Sequence, residues 1–255
     1  MIINNINPNL LTIGPFSVRF YGIVYAFGFL FMIWLLRKLA REKKVKDLTQ
    51  DRATDLALYT MIGIIIGARI GHVLFEYPKY IQNPLNIFKI WNGGMAFIGG
   101  LIGAFIVAYR YCRKNDIRLL DIADPLALYA PLVLGIGRIA NFINGELYGK
   151  ISNLPWAVNF NNEQDAIGNL VYRHPSQLYE LLFMLLLFVS LFMISKRENK
   201  KGYLLWSFVW IYGLQRFIAE FYRYNFAVIL GLSPMQYISI AMIMVGGYFA
   251  MSKRF

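Results

Sequence analysis

The fold is decided by "LLDIADPLALYAPLVLGIGRIANFINGELYG", residues 119–149. Its first part, 119–140, is nearly all apolar and long enough to cross a bilayer core as an α-helix, which takes about 20 residues. Residues 137–149 then deliver an arginine, two asparagines, a glutamate and three glycines. A surface helix of a soluble protein would spread its polar residues along one face. Here they gather at one end, as at the mouth of a membrane helix.

Outward from this stretch, the same length criterion is met by seven segments in all, at roughly 17–36, 54–77, 95–112, 119–140, 177–195, 203–222 and 233–252. Composition agrees: 58% of the 255 residues are hydrophobic and 16% charged, too apolar for a soluble domain. The expected fold is all-α, a polytopic membrane protein with seven transmembrane helices in a single membrane domain, 1–255. A net charge of +12 would suggest nucleic acid in a soluble chain. The basic residues instead cluster between apolar segments, at 37–46, 110–118, 196–201 and 253–254, on alternate loops, so no nucleic-acid partner is expected.

Basic clusters mark cytoplasmic loops, which puts the N-terminus outside and the C-terminus in the cytoplasm. No Lys or Arg precedes Arg19, so the basic start of a cleavable signal is missing and the N-terminal stretch reads as mature protein. Residues 141–176 become a small extracytoplasmic head with strand-like pieces between the fourth and fifth helices. The lone Cys112 reads as packing, and two histidines are too few for a His-rich or Cys-rich metal centre. No metal and no cofactor are expected.

Ionisable residues inside a spanning helix cost about 2.5–3.5 kcal/mol each on insertion scales and mark function by default. Arg69, His72 and Glu76 share one face of the second helix, as do Arg216, Glu220 and Arg223 on the sixth. Arg138 and Asn141 lie three apart on the fourth and precede Glu146. The orientation brings Arg69, Arg138, Arg216 and Glu220 to outer helix ends, with Tyr21, Tyr25 and the glycine-rich 93–103 near the same level. Buried ion pairs that fix helix register are the structural alternative. Arginines in excess of carboxylates favour an anion site, and at that depth the natural anion is a phospholipid phosphate.

No G-x-S-x-G elbow, H-E-x-x-H pair or phosphate loop is present, so an enzyme built on this chain would take its nucleophile from a substrate. His174, in "YRHPSQLYE", could be a base or a loop hydrogen-bonder, while Ser176, Gln177 and Glu180 could form a helix N-terminus behind Pro175. A transporter or lipid flippase using the same Arg and Glu stripes is the competing class. Visible inverted repeats would favour it, and none is evident.

These residues resemble the prolipoprotein diacylglyceryl transferase family. "GRIANFINGELYG" looks like its signature, and "VRFYGIVYAFGF", "GARIGHVLFEY", "WNGGMAFIGGLIG", "RHPSQLYE" and "YGLQRFIAEFYR" follow in the family's order. The resemblance implies a multi-pass enzyme of the bacterial cytoplasmic membrane. Its reaction would move the sn-1,2-diacylglyceryl group of phosphatidylglycerol to the lipobox cysteine of a prolipoprotein, releasing glycerol 1-phosphate. It implies that Arg138 and Arg216 bind the lipid head group and stabilise the departing phosphate. Asn141 is then a hydrogen-bond partner, Glu146 an orienter of an arginine or of the glycerol hydroxyls, and Gly149 a backbone requirement. Tyr21 lies near the lipid, and Glu220 and Arg223 stand beside Arg216. Many members carry a histidine, considered a thiol base, where this chain has Ile98. Isoleucine cannot take a proton; thiolate favoured by the arginines, His72 or His174 are the substitutes.

Overall fold

The computed structural model describes residues 2–7, 9–13, 16–89, 93–197, 200–224 and 229–252, without the side chains of 9, 11–13, 16–19 and 21. Its eight α-helices run α1 (Phe20–Arg41), α2 (Gln50–Phe75), α3 (Tyr77–Gln82), α4 (Phe97–Lys114), α5 (Leu119–Ile143), α6 (Ser176–Ser195), α7 (Tyr203–Ala219) and α8 (Pro234–Met251), with a 3-10 turn at Pro84–Phe88. Four short strands, β1 (Ile2–Asn4), β2 (Asn9–Ile13), β3 (Phe16–Arg19) and β4 (Val158–Phe160), complete the elements. The chain is therefore a multi-pass, helical membrane protein. Five helices, α1, α2, α5, α6 and α8, are long and apolar enough to cross a membrane. The other two long helices fall short for visible reasons: α4 puts Arg110, Arg113 and Lys114 in its last turns, and α7 has 17 residues.

The helix ends depart from the expected segments where local chemistry intervenes. α2 begins four residues early because the Thr49 side chain accepts from Arg52 N and caps it. The first segment begins late, since Phe16–Arg19 pair with Asn9–Ile13 as a hairpin before α1 starts. α8 opens on a capping box, Ser233 Oγ accepting from Gln236 N while the Gln236 side chain accepts from Ser233 N, which satisfies two otherwise orphaned donors.

The chain divides into two compact units, one of residues 1–28 with 123–255 and one of residues 29–122. In the second, α2 lies against α4 on glycines: a Cβ on Gly67 would overlap the carbonyl of Gly99, and one on Gly103 that of Gly63. Only hydrogen at those positions lets the two backbones approach so closely. In the first unit, Met184, Leu187 and Leu191 of α6 form a core with Leu128 and Leu134 of α5 and Leu204, Phe208 and Ile211 of α7. The helices' other faces are apolar and exposed, with Leu30 at 62%, Leu182 at 56% and Met244 at 64%. Such surfaces are stable only against lipid or protein.

α7 is fastened at its start by a distant carboxylate. Asp124 of α5 accepts from Gly202 N and Leu205 N, at 2.6 and 2.9 Å. These are donors the helix N-terminus leaves unpaired, and a negative charge there also meets the positive end of the helix dipole.

Residues 144–175 between α5 and α6 are non-helical and built around Ala157, Val158, Asn159 and Phe160, all at most 1% exposed. Asn159 Nδ2 donates to the carbonyls of Glu163 and Val171 and so pins the hairpin that follows. β1 completes this element, pairing parallel with β4 in the register Ile2 to Val158 and Asn4 to Phe160. The buried Asn4 adds a bond from its amide to Phe142 O at the end of α5.

Candidate functional site

The fourth-helix cassette keeps helical geometry to Ile143 and then turns sharply, with Gly145 and Leu147 both at positive φ (63° and 58°). Gly145 needs that conformation, and a Cβ there would strike the side chain of Asn161. The turn folds Glu146 back over the helix end. Asn141, 2% exposed, then joins the cassette's two charges: its Oδ1 accepts from Arg138 Nη1 at 3.2 Å and its Nδ2 donates to Glu146 Oε1 at 2.9 Å. Asn144 Nδ2 adds a second donor to the same oxygen, at 3.3 Å.

Gly149 carries the chain between two neighbouring strands. Its N–H donates to His174 O and the next one, of Lys150, to Tyr222 O, both at 2.9 Å. A side chain at Gly149 has no room, because its Cβ would lie 2.7 Å from the Cβ of His174 and overlap Tyr222 O. The pairing also sets Gly149 opposite Arg223.

At the centre of the first unit stands Glu180, in the second turn of α6 and 3% exposed. Its Oε2 meets Arg138 Nη2 at 2.8 Å, and its Oε1 meets Arg223 Nη1 at 2.7 Å and Arg216 Nη1 at 3.5 Å. Three guanidiniums, from α5, α7 and the segment after α7, thus converge on one carboxylate. Arg216 Nη2 also lies 2.7 Å from Glu220 Oε2, one turn on, though its N–H is not aligned for a hydrogen bond to that oxygen. Glu220 is held from the other side by Ser233 Oγ, which donates to its Oε1 at 3.0 Å. The three arginines thus meet two buried carboxylates directly, while the third carboxylate, Glu146, is exposed and reaches Arg138 only through Asn141. A small cavity lined by Phe183, Met184, Tyr212, Gln215 and Ala219 opens beside Glu180 and Arg216.

Arg138, Asn141, Glu146, Gly149, Arg216, Glu220 and Arg223 are thus gathered in one unit. Glu180 and Ser233, which join them, escape a reading that looks for arginines. Both carried a signal: Glu180 is an acid in an otherwise apolar helix, the same expense that singles out Arg69 and Arg216, and "SPMQ" has the spacing of a capping box. The side chain of Tyr21 lies outside the described residues.

Arg69 sits in the other unit, 6% exposed, with its donors taken up by the backbone. Nε donates to Ile87 O at 2.8 Å, Nη1 to the carbonyls of Gly93 and Gly94, and Nη2 to those of Asn86 and Lys89. The guanidinium also faces the ring of Tyr80, 5.3 Å from its centre. Arg69 is a clasp on the connection between α2 and α4. In the same unit His72 Nε2 lies 3.6 Å from Glu76 Oε2, and its ring meets Tyr80 edge-on.

His174 is packed edge-on against Tyr179 and Tyr222, with Nδ1 3.2 Å from Tyr179 OH. That hydroxyl also accepts from Trp156 Nε1 at 2.8 Å. Burial, and after it the charge of Lys150, pushes the imidazole below the ordinary histidine range, so it is neutral at neutral pH. Nearby, both carboxylate oxygens of Glu163 accept from one edge of the Arg173 guanidinium, its Nε and Nη2, and that group lies near the rings of Tyr148 and Tyr224, 4.9 and 5.4 Å from their centres. The hydrogen bond from Arg173 holds the Glu163 carboxyl below its usual range despite partial burial. Among the described residues no group of three or more His, Cys, Asp and Glu side chains could hold a metal ion, and Cys112 is free and buried.

Comparison with known proteins meets this geometry from outside. The family model described as prolipoprotein diacylglyceryl transferase matches residues 8–252. A phosphatidylglycerol–prolipoprotein diacylglyceryl transferase of Vibrio parahaemolyticus is 39% identical over 249 residues, covering 95% of this chain and 89% of its own. Proteins of the same name from Geobacter sulfurreducens and Nitratidesulfovibrio vulgaris are 39% and 41% identical, each over 86% of this chain and over 83% and 81% of theirs.

Proposed function

The chain belongs to the prolipoprotein diacylglyceryl transferase family, and from that premise we propose how its residues carry the reaction. The enzyme transfers the sn-1,2-diacylglyceryl group of phosphatidylglycerol to the lipobox cysteine of a prolipoprotein. The cysteine sulfur attacks the glyceryl carbon that bears the phosphate ester. A C–S thioether bond forms, the C–O bond breaks, and its electron pair leaves on glycerol 1-phosphate. The observation that carries this reading is the convergence of Arg138, Arg216 and Arg223 on the buried Glu180.

Arg138 and Arg216 bind the phosphate, because a planar guanidinium can engage two phosphate oxygens at once and meets the charge that builds on the leaving group. Arg223 completes the anion site. Asn141 and Glu146 fix the direction of Arg138, Glu220 fixes that of Arg216, and Gly149 keeps the strand carrying it against Arg223. Tyr21 contacts the lipid. Arg69 serves through the loop it clasps rather than through the phosphate. The thiol proton goes to a base for which His174 and His72 are the candidates, a neutral imidazole being competent to accept it.

The seven long helices are read as seven spans, α4 and α7 included, since about 17 residues suffice when flanking arginines reach toward the interface. The chain then forms one membrane domain over 1–255, with 141–176 as an extracytoplasmic head. The alternate basic loops support a cytoplasmic C-terminus and an outer N-terminus, in a bacterial cytoplasmic membrane. Nothing favours transport as an alternative.

The test is direct. Purified protein, given phosphatidylglycerol vesicles and a lipobox peptide, yields a thioether-linked diacylglyceryl peptide and an equal amount of glycerol 1-phosphate. A folded preparation that releases neither product refutes the assignment.

A further inference from the structure

The two carboxylates of the arginine cluster are held in different ways. Glu220 is fixed: Ser233 Oγ donates to it, and Ser233 is itself locked by the capping box of α8. Glu180 receives only guanidiniums among the described residues, from Arg138, Arg216 and Arg223, and has no backbone or neutral donor to keep it in place. A carboxylate held in this way is an anion in an anion site. It presents to Arg138 and Arg223 the two oxygens that a phosphate would present. A cavity with room for about one water adjoins it, and Gln215, whose Oε1 has no partner, lines that space.

We propose that Glu180 is a resident counter-ion: the phosphate of the incoming lipid displaces it from Arg138 and Arg223, and it reclaims both when glycerol phosphate leaves. The inference rests on the reading of the arginines as the phosphate site. Before lipid arrives, Glu180 keeps three guanidiniums together that would otherwise repel one another. During the reaction it yields, and afterwards its negative charge competes with the product, whose phosphate has become a monoester of higher charge. Glu180 is in this sense a positioning residue that acts through the arginines and trades ground-state affinity for turnover.

The experiment uses the full chain in detergent, glycerol 1-phosphate as the probe, and Glu180→Gln, which keeps the shape and removes the competing charge. For the wild type, glycerol 1-phosphate inhibits lipidation of the peptide and raises the melting temperature. For Glu180→Gln the inhibition constant falls by about tenfold, KM for phosphatidylglycerol falls with it, kcat drops, and a burst of lipidated peptide precedes slow release. A purely structural carboxylate predicts a lower melting temperature with the inhibition constant unchanged or weaker, and that outcome overturns the proposal. Should Glu180→Gln not fold, Glu180→Asp, withdrawn by one methylene, must show the same tightening to a smaller degree; its absence is equally fatal. A wild type that turns over, yet is neither inhibited nor stabilised by glycerol 1-phosphate, overturns the phosphate site itself and the exchange with it.

Discussion

Asn141 gives its amide oxygen to Arg138 and its amide nitrogen to Glu146, so the two ends of one side chain connect a cation to an anion without letting them touch. The arrangement requires an amide. Asn141→Asp sets a carboxylate against Glu146 and offers Arg138 a second anion in competition with phosphate. We expect turnover to fall at least about tenfold with the melting temperature reduced only slightly, since Glu146 is exposed and can turn away. Initial rates of peptide lipidation, beside thermal melts of the same preparation, measure both.

Arg138→Lys separates charge from geometry. Lysine keeps the positive charge but has no planar pair of donors, so it cannot hold Glu180 and Asn141 together or meet two phosphate oxygens at once. The expected loss is about 10²–10³ in kcat, the size seen when one preorganised donor is removed from a developing anion. Activity within a few-fold of the wild type would reject this role for the guanidinium.

Arg69→Ala is expected to fail differently. Five backbone carbonyls, of Asn86, Ile87, Lys89, Gly93 and Gly94, lose a donor at once, and Asn86 O keeps that of Lys89 N. Hydrogen bonds to a charged group contribute about 1.5–3 kcal/mol each, and loop carbonyls recover part of this from water, so a lower melting temperature and faster proteolysis between α2 and α4 should follow. The inhibition constant for glycerol 1-phosphate should stay as it was. A large rise in that constant would return Arg69 to the phosphate site.

Gly149→Ala places a methyl group 2.7 Å from the Cβ of His174 and into the Tyr222 carbonyl. Overpacking of this kind costs about 1–3 kcal/mol, and because one neighbour is backbone, relief has to come by moving the strand pairing that faces Arg223. Both stability and lipidation should decline. A fully active, fully stable variant would mean that the glycine is replaceable.

Acid should loosen the non-helical element between α5 and α6. The Glu163 carboxyl, held below its ordinary range by Arg173, gives stability that is fully present above the unfolded carboxylate value near about 4.3 and is lost as pH falls through the lower folded value. Glu163→Gln should remove that part of the acid dependence while lowering stability at neutral pH. His174 has the same sign: its imidazole is depressed in the fold, so the unfolded state binds its proton first as pH falls, and stability drops in that higher window. Thermal melts across a pH series read both, and a Glu163→Gln profile parallel to the wild type would deny the pair its part.

What the chain discloses by itself follows from which forces are local. The long helices are legible because apolar length is a property of contiguous residues, five of them long and apolar enough to cross a membrane, and the cassette because charges at a helix end stand out against it. Arg216 and Glu220, one turn apart, meet as their spacing requires. Glu180 is less legible, since its three partners come from elements far away in the chain, and its first-turn neighbours Ser176 and Gln177 give the stretch the look of a plain helix start. Arg69 looks from sequence like any other membrane arginine. Only the loop folded over it, with its carbonyls turned inward, gives it separate work. The Ile2–Asn4 strand had no sequence signal at all, because its partner is Val158–Phe160.

That last pairing also imposes an order of assembly. Residues 2–4 are synthesised before α1, and the strand that receives them only after α5 is complete. Contacts between segments so distant require a long loop to close, and such closure is slow. Through most of its own biosynthesis the chain must therefore keep its earliest strand waiting unpaired. The parallel ladder, when it forms, marks the moment at which the element built on Val158 and Phe160 is finished.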